Sequence, residues 1–165
     1  MGKIGFKRSD RRYRSDDGQE WDSRFEWQVW DGLRSAGYDV RRATEDDSIG
    51  YHTQVKQGRC LECGSVSVLQ DRIYTPDLYV AGLKGKRASS GSSYYVECKG
   101  YFPADKRNLF RSVANQATGI DLRIVFPKEI RLKGTTKTNV EYIQAFCKTI
   151  KVGIWNKETG DILWL

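Results

Sequence analysis

Apolar residues recur on two different periods along this chain, and the alternation between them lays out its elements. Phe25, Val29, Leu33 and Ala36 mark one helical face, Ser23 and Glu26 form a capping-box pattern ahead of it, and Gly37 supplies a stop, so a helix is predicted over 23–37. Residues 73–80 and 94–99 are rich in Tyr, Val and Ile and read as the strands of a hairpin, while 82–93, full of Gly, Ser and Lys, reads as its flexible loop. A second helix is predicted over 105–117. Residues 122–126 form an apolar run broken only by Arg123 and closed by Pro127, which fits a buried central strand. A third helix is predicted over 138–150, with a capping-box pattern at Thr138 and Glu141 and apolar positions Val140, Ile143, Cys147 and Ile150, which makes Cys147 a core residue. Residues 152–155 and 162–165, joined by 156–160, predict a terminal hairpin. Glu45, Asp46 and Asp47 read as a solvated turn, and the five tryptophans as packing residues.

The chemistry concentrates at the end of the first hairpin. Tyr74-Thr75-Pro76-Asp77 on one strand and Glu97-Cys98-Lys99 on the other bring two carboxylates and an amine to one place. Alternate side chains of a strand share a face, so Glu97 and Lys99 project together while Cys98 points away and leaves its carbonyl available to a cation. Such a set can hold a divalent metal and ready a water for attack on a phosphodiester. The bland alternative makes Asp77 a turn residue after Pro76, and Glu97 with Lys99 an exposed pair of little energetic worth. Asp, Glu and Lys together at the end of a buried strand are costly unless they serve a site.

At 165 residues and 39% hydrophobic content the chain can bury one core, so a single domain over 20–165 is expected behind a basic arm over 1–19. A net charge of +7 suits a polyanionic partner. Lys3, Lys7, Arg8, Arg11, Arg12 and Arg14 crowd the arm against one acid, Asp10, and such a segment is expected to stay disordered until it meets phosphates. No apolar run reaches membrane-spanning length and the N-terminus lacks a signal-peptide core, so an intracellular protein with no membrane partner is expected. Four cysteines in that setting read as thiols or metal ligands rather than disulfides. A single histidine, His52, with no asparagine-histidine partner pattern beside it, argues against a nuclease built on a histidine base.

The succession Tyr-Thr-Pro-Asp77, Glu97-x-Lys99-Gly, Asp105-Lys106-Arg107 and Asp121-Leu122-Arg123-Ile124-Val125-Phe126 resembles phage endonuclease I, the Holliday junction resolvases within the PD-(D/E)-x-K nuclease superfamily. The resemblance runs over about 23–146 and rests on several separated motifs in order. It implies an α/β, restriction-endonuclease-like mixed sheet flanked by helices, in an intertwined homodimer that cuts branched DNA with metal. It further implies that Glu26, Asp77 and Glu97, with the Cys98 carbonyl, hold magnesium or manganese, and that Lys99 orients the attacking water or neutralises the developing oxyanion. Glu26 also has a competent structural role as the capping partner of Ser23. Lys106, Arg107 and Arg111 on the second helix, with Lys7, Arg8, Arg11, Arg12 and Arg14 of the arm, are the candidate contacts to DNA phosphates; a solvated basic face is the alternative.

An insertion over 51–72, containing Cys60-Leu61-Glu62-Cys63-Gly64, departs from the family pattern. Two thiolates at this spacing can occupy two corners of a zinc tetrahedron, and closure needs two more ligands. His52 can supply one, or a second protomer can supply its own pair, since the insertion falls where the family's dimer bridge is expected. Two reduced cysteines in a turn are the alternative. The long loop over 82–93 is a second departure. Two rival functions share these features: a nuclease of the same fold that nicks or degrades duplex, and a non-catalytic DNA-binding module organised by the cysteine pair and the basic arm.

Overall fold

The computed structural model describes residues 12–56, 59, 61–83 and 93–165. In chain order the strands and helices are β1 (Tyr13–Arg14), β2 (Glu20–Trp21), α1 (Arg24–Ser35), β3 (Tyr38–Arg42), β4 (Ile49–Lys56), β5 (Ser67–Tyr74), β6 (Leu78–Leu83), β7 (Tyr94–Cys98), α2 (Ala104–Gln116), β8 (Leu122–Phe126), α3 (Asn139–Phe146), β9 (Lys151–Asn156) and β10 (Asp161–Trp164). Six strands form one mixed sheet in the order β10-β9-β8-β7-β6-β3, in which β7, β8 and β9 run parallel and the outer pairings are antiparallel. The expected mixed α/β architecture is therefore present, with three α-helices among the described residues.

The sheet is buried on both faces, which explains the unbroken apolar run of β8. Ile124 and Phe126 point into a layer with Phe102, Phe110 and Val113 around α2 and Ile143 of α3, while Val125 between them points into the opposite layer with Trp21, Val29 and Leu33 around α1. All five tryptophans are in or against this second layer, as packing residues. Cys147 is fully buried in the first layer, as expected.

Helix α1 begins where the sequence places it, with the Ser23 hydroxyl accepting the Glu26 N–H at 3.1 Å, but only this half of the capping box forms. The buried stripe is Glu26, Val29, Trp30 and Leu33; Ala36 is exposed and Phe25 only half-buried. The stripe is thus turned toward Glu26, a carboxylate in an otherwise apolar row. At α3 both halves of the Thr138–Glu141 box are made, and the helix ends at Phe146, four residues short of the sequence boundary. A tight turn from Cys147 to Ile150, closed by a 2.8 Å backbone bond, leads directly into β9.

The predicted strand over 73–80 is two strands. Ile73 and Tyr74 end β5, Thr75-Pro76-Asp77 breaks the ladder, and β6 starts at Leu78. Strand β5 pairs only with β4, in an eight-pair antiparallel ribbon separate from the main sheet. Residues 51–56 and 67–72 of the insertion are therefore the outer part of a β-ribbon. Gln116 at the end of α2 ties the ribbon to the domain, accepting the His52 N–H at 2.6 Å and donating to the His52 carbonyl at 2.8 Å.

One further expectation is corrected. Asp47 is not a solvated turn residue: it is buried in a 3-10 turn, where both carboxylate oxygens bind the Arg41 guanidinium at 2.6 and 2.9 Å and one also accepts the Thr44 N–H. Its carboxyl is held well below the usual range, first by the bond from Arg41. The basic arm reaches only partly into the described residues. Lys7, Arg8 and Arg11 lie outside them, whereas Arg12 and Arg14 belong to the β1–β2 hairpin, 3.5 and 3.7 Å from the carboxylate oxygens of Glu20.

Candidate active site

Strands β6 and β7 are antiparallel with Leu78 opposite Val96, so Asp77 before the one and Glu97 after the other come to the same end of the sheet. The Cys98 N–H donates to Asp77 Oδ2 at 2.7 Å, and the Asp77 carbonyl accepts the Ala43 N–H at 3.1 Å, which fixes the residue on both sides. The Lys99 N–H donates to the Val125 carbonyl at 2.9 Å, carrying the β7–β8 ladder one residue further and holding Lys99 on the Glu97 face. There the Lys99 ammonium is ion-paired with Glu97 Oε1, and the Tyr74 hydroxyl donates to Oε2. Cys98 points the other way, buried in the α1 layer.

Glu26, 3% exposed in the first turn of α1, completes the acids. The Arg42 Nε atom lies 3.6 Å from its carboxylate, and Arg42 stands opposite Leu78 at the end of β3, hence at the same sheet end. Lys99 and Arg42 are thus the cations beside three carboxylates. Burial, reinforced by the charge of Asp77, pushes the Glu26 carboxyl up to about 7. Burial and Asp77 do the same to Glu97, again to about 7. Burial also raises Asp77, against the pull of Lys99 and the Cys98 N–H. The Lys99 ammonium is disfavoured by burial, yet Glu97 and Asp77 outweigh that and hold its pKa above the ordinary lysine value. Burial and the neighbouring carboxylates likewise raise the Tyr74 phenol.

Protons retained on glutamates near neutral pH mark a cluster with more negative charge than its cations and solvent can balance. A divalent cation is the alternative balance, and carboxylate oxygens are the donors that magnesium and manganese prefer. The donor chemistry therefore fits such an ion. Among the described residues, no three His, Cys, Asp or Glu side chains are drawn close enough to hold a metal as they stand. Both oxygens of Glu97 are engaged, by Tyr74 and Lys99, so coordination calls for Glu97 to exchange Lys99 for the ion and for the acids to rotate toward Asp77, the residue coupled to both glutamates.

The remaining sequence candidates lie elsewhere. Arg107 and Arg111 stack over the Tyr142 and Phe146 rings of α3, at 5.6 and 5.4 Å, so neither is simply a solvated charge on α2. Lys106 is half-buried on the same helix. Cys60 lies outside the described residues, and Cys63 beyond the ribbon is an exposed free thiol. His52 is paired instead with Asp71, at 2.7 Å, four ladder steps before the last ribbon pair, a distance of about 13 Å. Its engagement there weighs against closure of a zinc site by His52.

Three residues of the site escape sequence reasoning. Tyr74 bonds a carboxylate far along the chain, and Arg42 is an unremarkable base on an alternating strand. Asp22, beside the Ser23 cap, adds negative charge that raises both Glu26 and Asp77. No family model matches this chain, and no curated protein or solved structure matches it.

Proposed function

We propose that this chain is a metal-dependent endonuclease that cuts DNA at four-way junctions. The observation that carries the reading is the meeting of Asp77, Glu97 and Lys99 at one end of two central strands, with Glu26 arriving from α1. This is the arrangement that a restriction-endonuclease-like fold of the resembled family calls for.

Magnesium or manganese, when bound by Glu26, Asp77, Glu97 and the Cys98 carbonyl, would supply a polarised water and charge neutralisation at the phosphate. The chain's own groups then divide the work. Lys99, with its pKa held up, stays an ammonium and is a poor proton acceptor; it serves by donating hydrogen bonds to the water or to the phosphoryl oxygens as their charge grows. The glutamates serve as ligands, and the proton released as the water oxygen bonds to phosphorus and the bond to the leaving sugar oxygen breaks passes to solvent. Tyr74 holds the Glu97 carboxylate on its face of the strand.

A homodimer is supported by the β4–β5 ribbon. The ribbon is tied to the domain at its inner end, yet one face of β5 exposes Leu69 and Ile73, the latter at 78%. A second copy laid along it would cover these side chains and set two cutting sites at a fixed separation. Cys63, beyond the ribbon, would then approach its counterpart, and with Cys60 of each chain four thiolates would close one shared zinc site. The net charge of +7 suits the DNA partner. The deciding experiment compares cleavage of a four-way junction with cleavage of its component duplex in magnesium. Cutting of the junction alone supports the reading; equal cutting of both favours a duplex nuclease, and tight binding without cutting under any metal favours a DNA-binding module.

A further inference from the structure

Beyond Lys99 the chain passes through Gly100 and Tyr101 to the start of α2, and there it forms one wall of a cavity of about 350 Å³. Tyr101 and Pro103 line one side, Arg107 projects from α2, and Arg131 and Lys133 come from the segment before α3; no acidic residue lines it. The Arg107 guanidinium is only partly satisfied. Its Nη2 donates to the Lys133 carbonyl at 3.3 Å, while its Nη1 is buried without an acceptor among the described residues. A buried charged donor left unpaired is costly, and a turn of the guanidinium toward the cavity would let an anion there satisfy it. The start of α2 adds to the same field. Its cap is Pro103, which has no side chain to accept from the first-turn N–H groups, so these donors are left to a ligand or water, although Asp105 in the first turn offsets part of the positive pole.

We propose that this cavity seats a backbone phosphate of the strand being cut, next to the phosphate under attack, and that Tyr101 stacks on a base of that strand. The inference rests on the nuclease reading for its substrate. Tyr101 follows Lys99 by two residues, so the cavity rim begins within about 7 Å of the candidate active site. The Tyr101 ring is 74% exposed at that rim, the position of an aromatic that stacks on a base rather than filling a core. Arg131 and Lys133 are exposed and belong to no ion pair among the described residues, so their charge is available to a ligand.

The test is binding without cleavage. Four-way junctions carrying a single neutral methylphosphonate at successive positions near the branch point are bound to the full chain in EDTA and read by anisotropy. Wild-type protein should lose about tenfold in affinity when one particular phosphate is neutralised. The Arg131→Ala, Lys133→Ala double variant, whose side chains lie on the surface, should bind the unmodified junction at least tenfold more weakly, keep only the part of the methylphosphonate effect that Arg107 supplies, and show a salt slope smaller by about 2. Tyr101→Ala should weaken binding yet keep the methylphosphonate effect. A double variant with wild-type affinity and an unchanged methylphosphonate profile overturns the proposal. So does inorganic phosphate that binds wild type but not the double variant while DNA affinity is the same for both, since that assigns the cavity to free phosphate. A methylphosphonate profile as expected, from a protein that cuts no DNA in any metal, supports the phosphate seat and removes only the catalytic reading.

Discussion

Tyr74 and Glu97 are joined by a buried hydrogen bond that links two separate ladders: Tyr74 closes the β4–β5 ribbon, and Glu97 lies in β7 of the main sheet. The bond ties the ribbon to the candidate site and holds a carboxylate that has lost nearly all its solvent. A phenol donating to a metal-binding carboxylate sets its orientation and its basicity, and removing such a partner costs about 10–100-fold in metal affinity or activity. Tyr74→Phe keeps the ring against Phe110 while deleting the donor. It should weaken magnesium or manganese binding by about that factor and shift the acid limb of the cleavage profile to higher pH, because Glu97 loses a bond that favours its charged form. Metal titration of the rate at several pH values is the measurement. An unchanged half-saturating concentration removes the positioning role.

Asp77→Asn, Glu97→Gln and Lys99→Ala should each abolish strand scission while junction affinity stays within about threefold of wild type, because binding rests mainly on phosphate contacts made elsewhere. Gel-shift and cleavage assays on the same preparations separate the two. A variant that cuts at near wild-type rate in magnesium takes its residue out of the site. Lys99→Ala leaves Glu97 with a lone partner, so circular dichroism should accompany it to show that the fold persists.

The acids should also give the protein a distinctive pH response. Glu26 and Glu97 have folded pKa values raised from 4.5 to about 7, so between those limits the folded state binds more protons than the unfolded one. Stability from these groups is therefore greatest below the lower limit and falls as pH rises to about 7. In EDTA, the melting temperature at pH 7.5 should lie below the value these groups allow at pH 5.5, and Glu26→Gln with Glu97→Gln should flatten the difference. Metal ions compete with those protons, so stabilisation by magnesium or manganese should be larger at the higher pH. Equal stabilisation at both values would mean that the ion does not bind these carboxylates.

Much of this arrangement is legible in the sequence because it is local. An apolar run broken once reads as a strand covered on both faces, and β8 has those bounds. The Thr138–Glu141 box marks the start of α3 because both its partners lie within one turn. Asp77, Glu97 and Lys99 are found because charged residues at the ends of apolar strands need a reason to be there. What escapes depends on contacts between distant segments. Residues 73–80 look like one strand because residue type does not tell which ladder each half joins; Pro76, which cannot donate to a ladder, is the clue to the break. Asp47 looks solvated until Arg41 of β3 is seen folded over it. Glu26 is named by the resemblance, but its residue pattern fits a capping role equally well, and the facing of α1 against the sheet end is what brings its charge near Asp77.

The cysteine pair gives a prediction that does not depend on activity. If Cys60 and Cys63 of two chains close one tetrahedral site, the purified protein should contain about one zinc per two chains, and Cys60→Ser should release both the zinc and part of the dimer stability. Elemental analysis alongside sedimentation measures both. One zinc per chain would require a local closure for which His52, already bound to Asp71, is poorly placed. No zinc, with both thiols rapidly alkylated in the folded protein, leaves the pair as a simple turn.

A junction-cutting enzyme must place two scissions symmetrically about a branch point, and a four-way junction has the two-fold symmetry to receive them from a homodimer. The chain should therefore sediment as a dimer at micromolar concentration. Charging the exposed apolar side of the ribbon, by Leu69→Lys with Ile73→Lys, should yield monomers whose main sheet is intact, since neither residue packs in the domain core. Shape rather than base sequence should govern the dimer's choice of DNA. Affinity should fall steeply with salt, and the cut sites should follow the branch point when flanking sequence is exchanged. Monomeric variants should keep the acids, Lys99 and Tyr74 in place and still nick, but lose paired incision of one junction. A wild-type monomer that cuts linear duplex as fast as a junction would leave the chemistry at Asp77, Glu97 and Lys99 standing and remove the resolvase assignment.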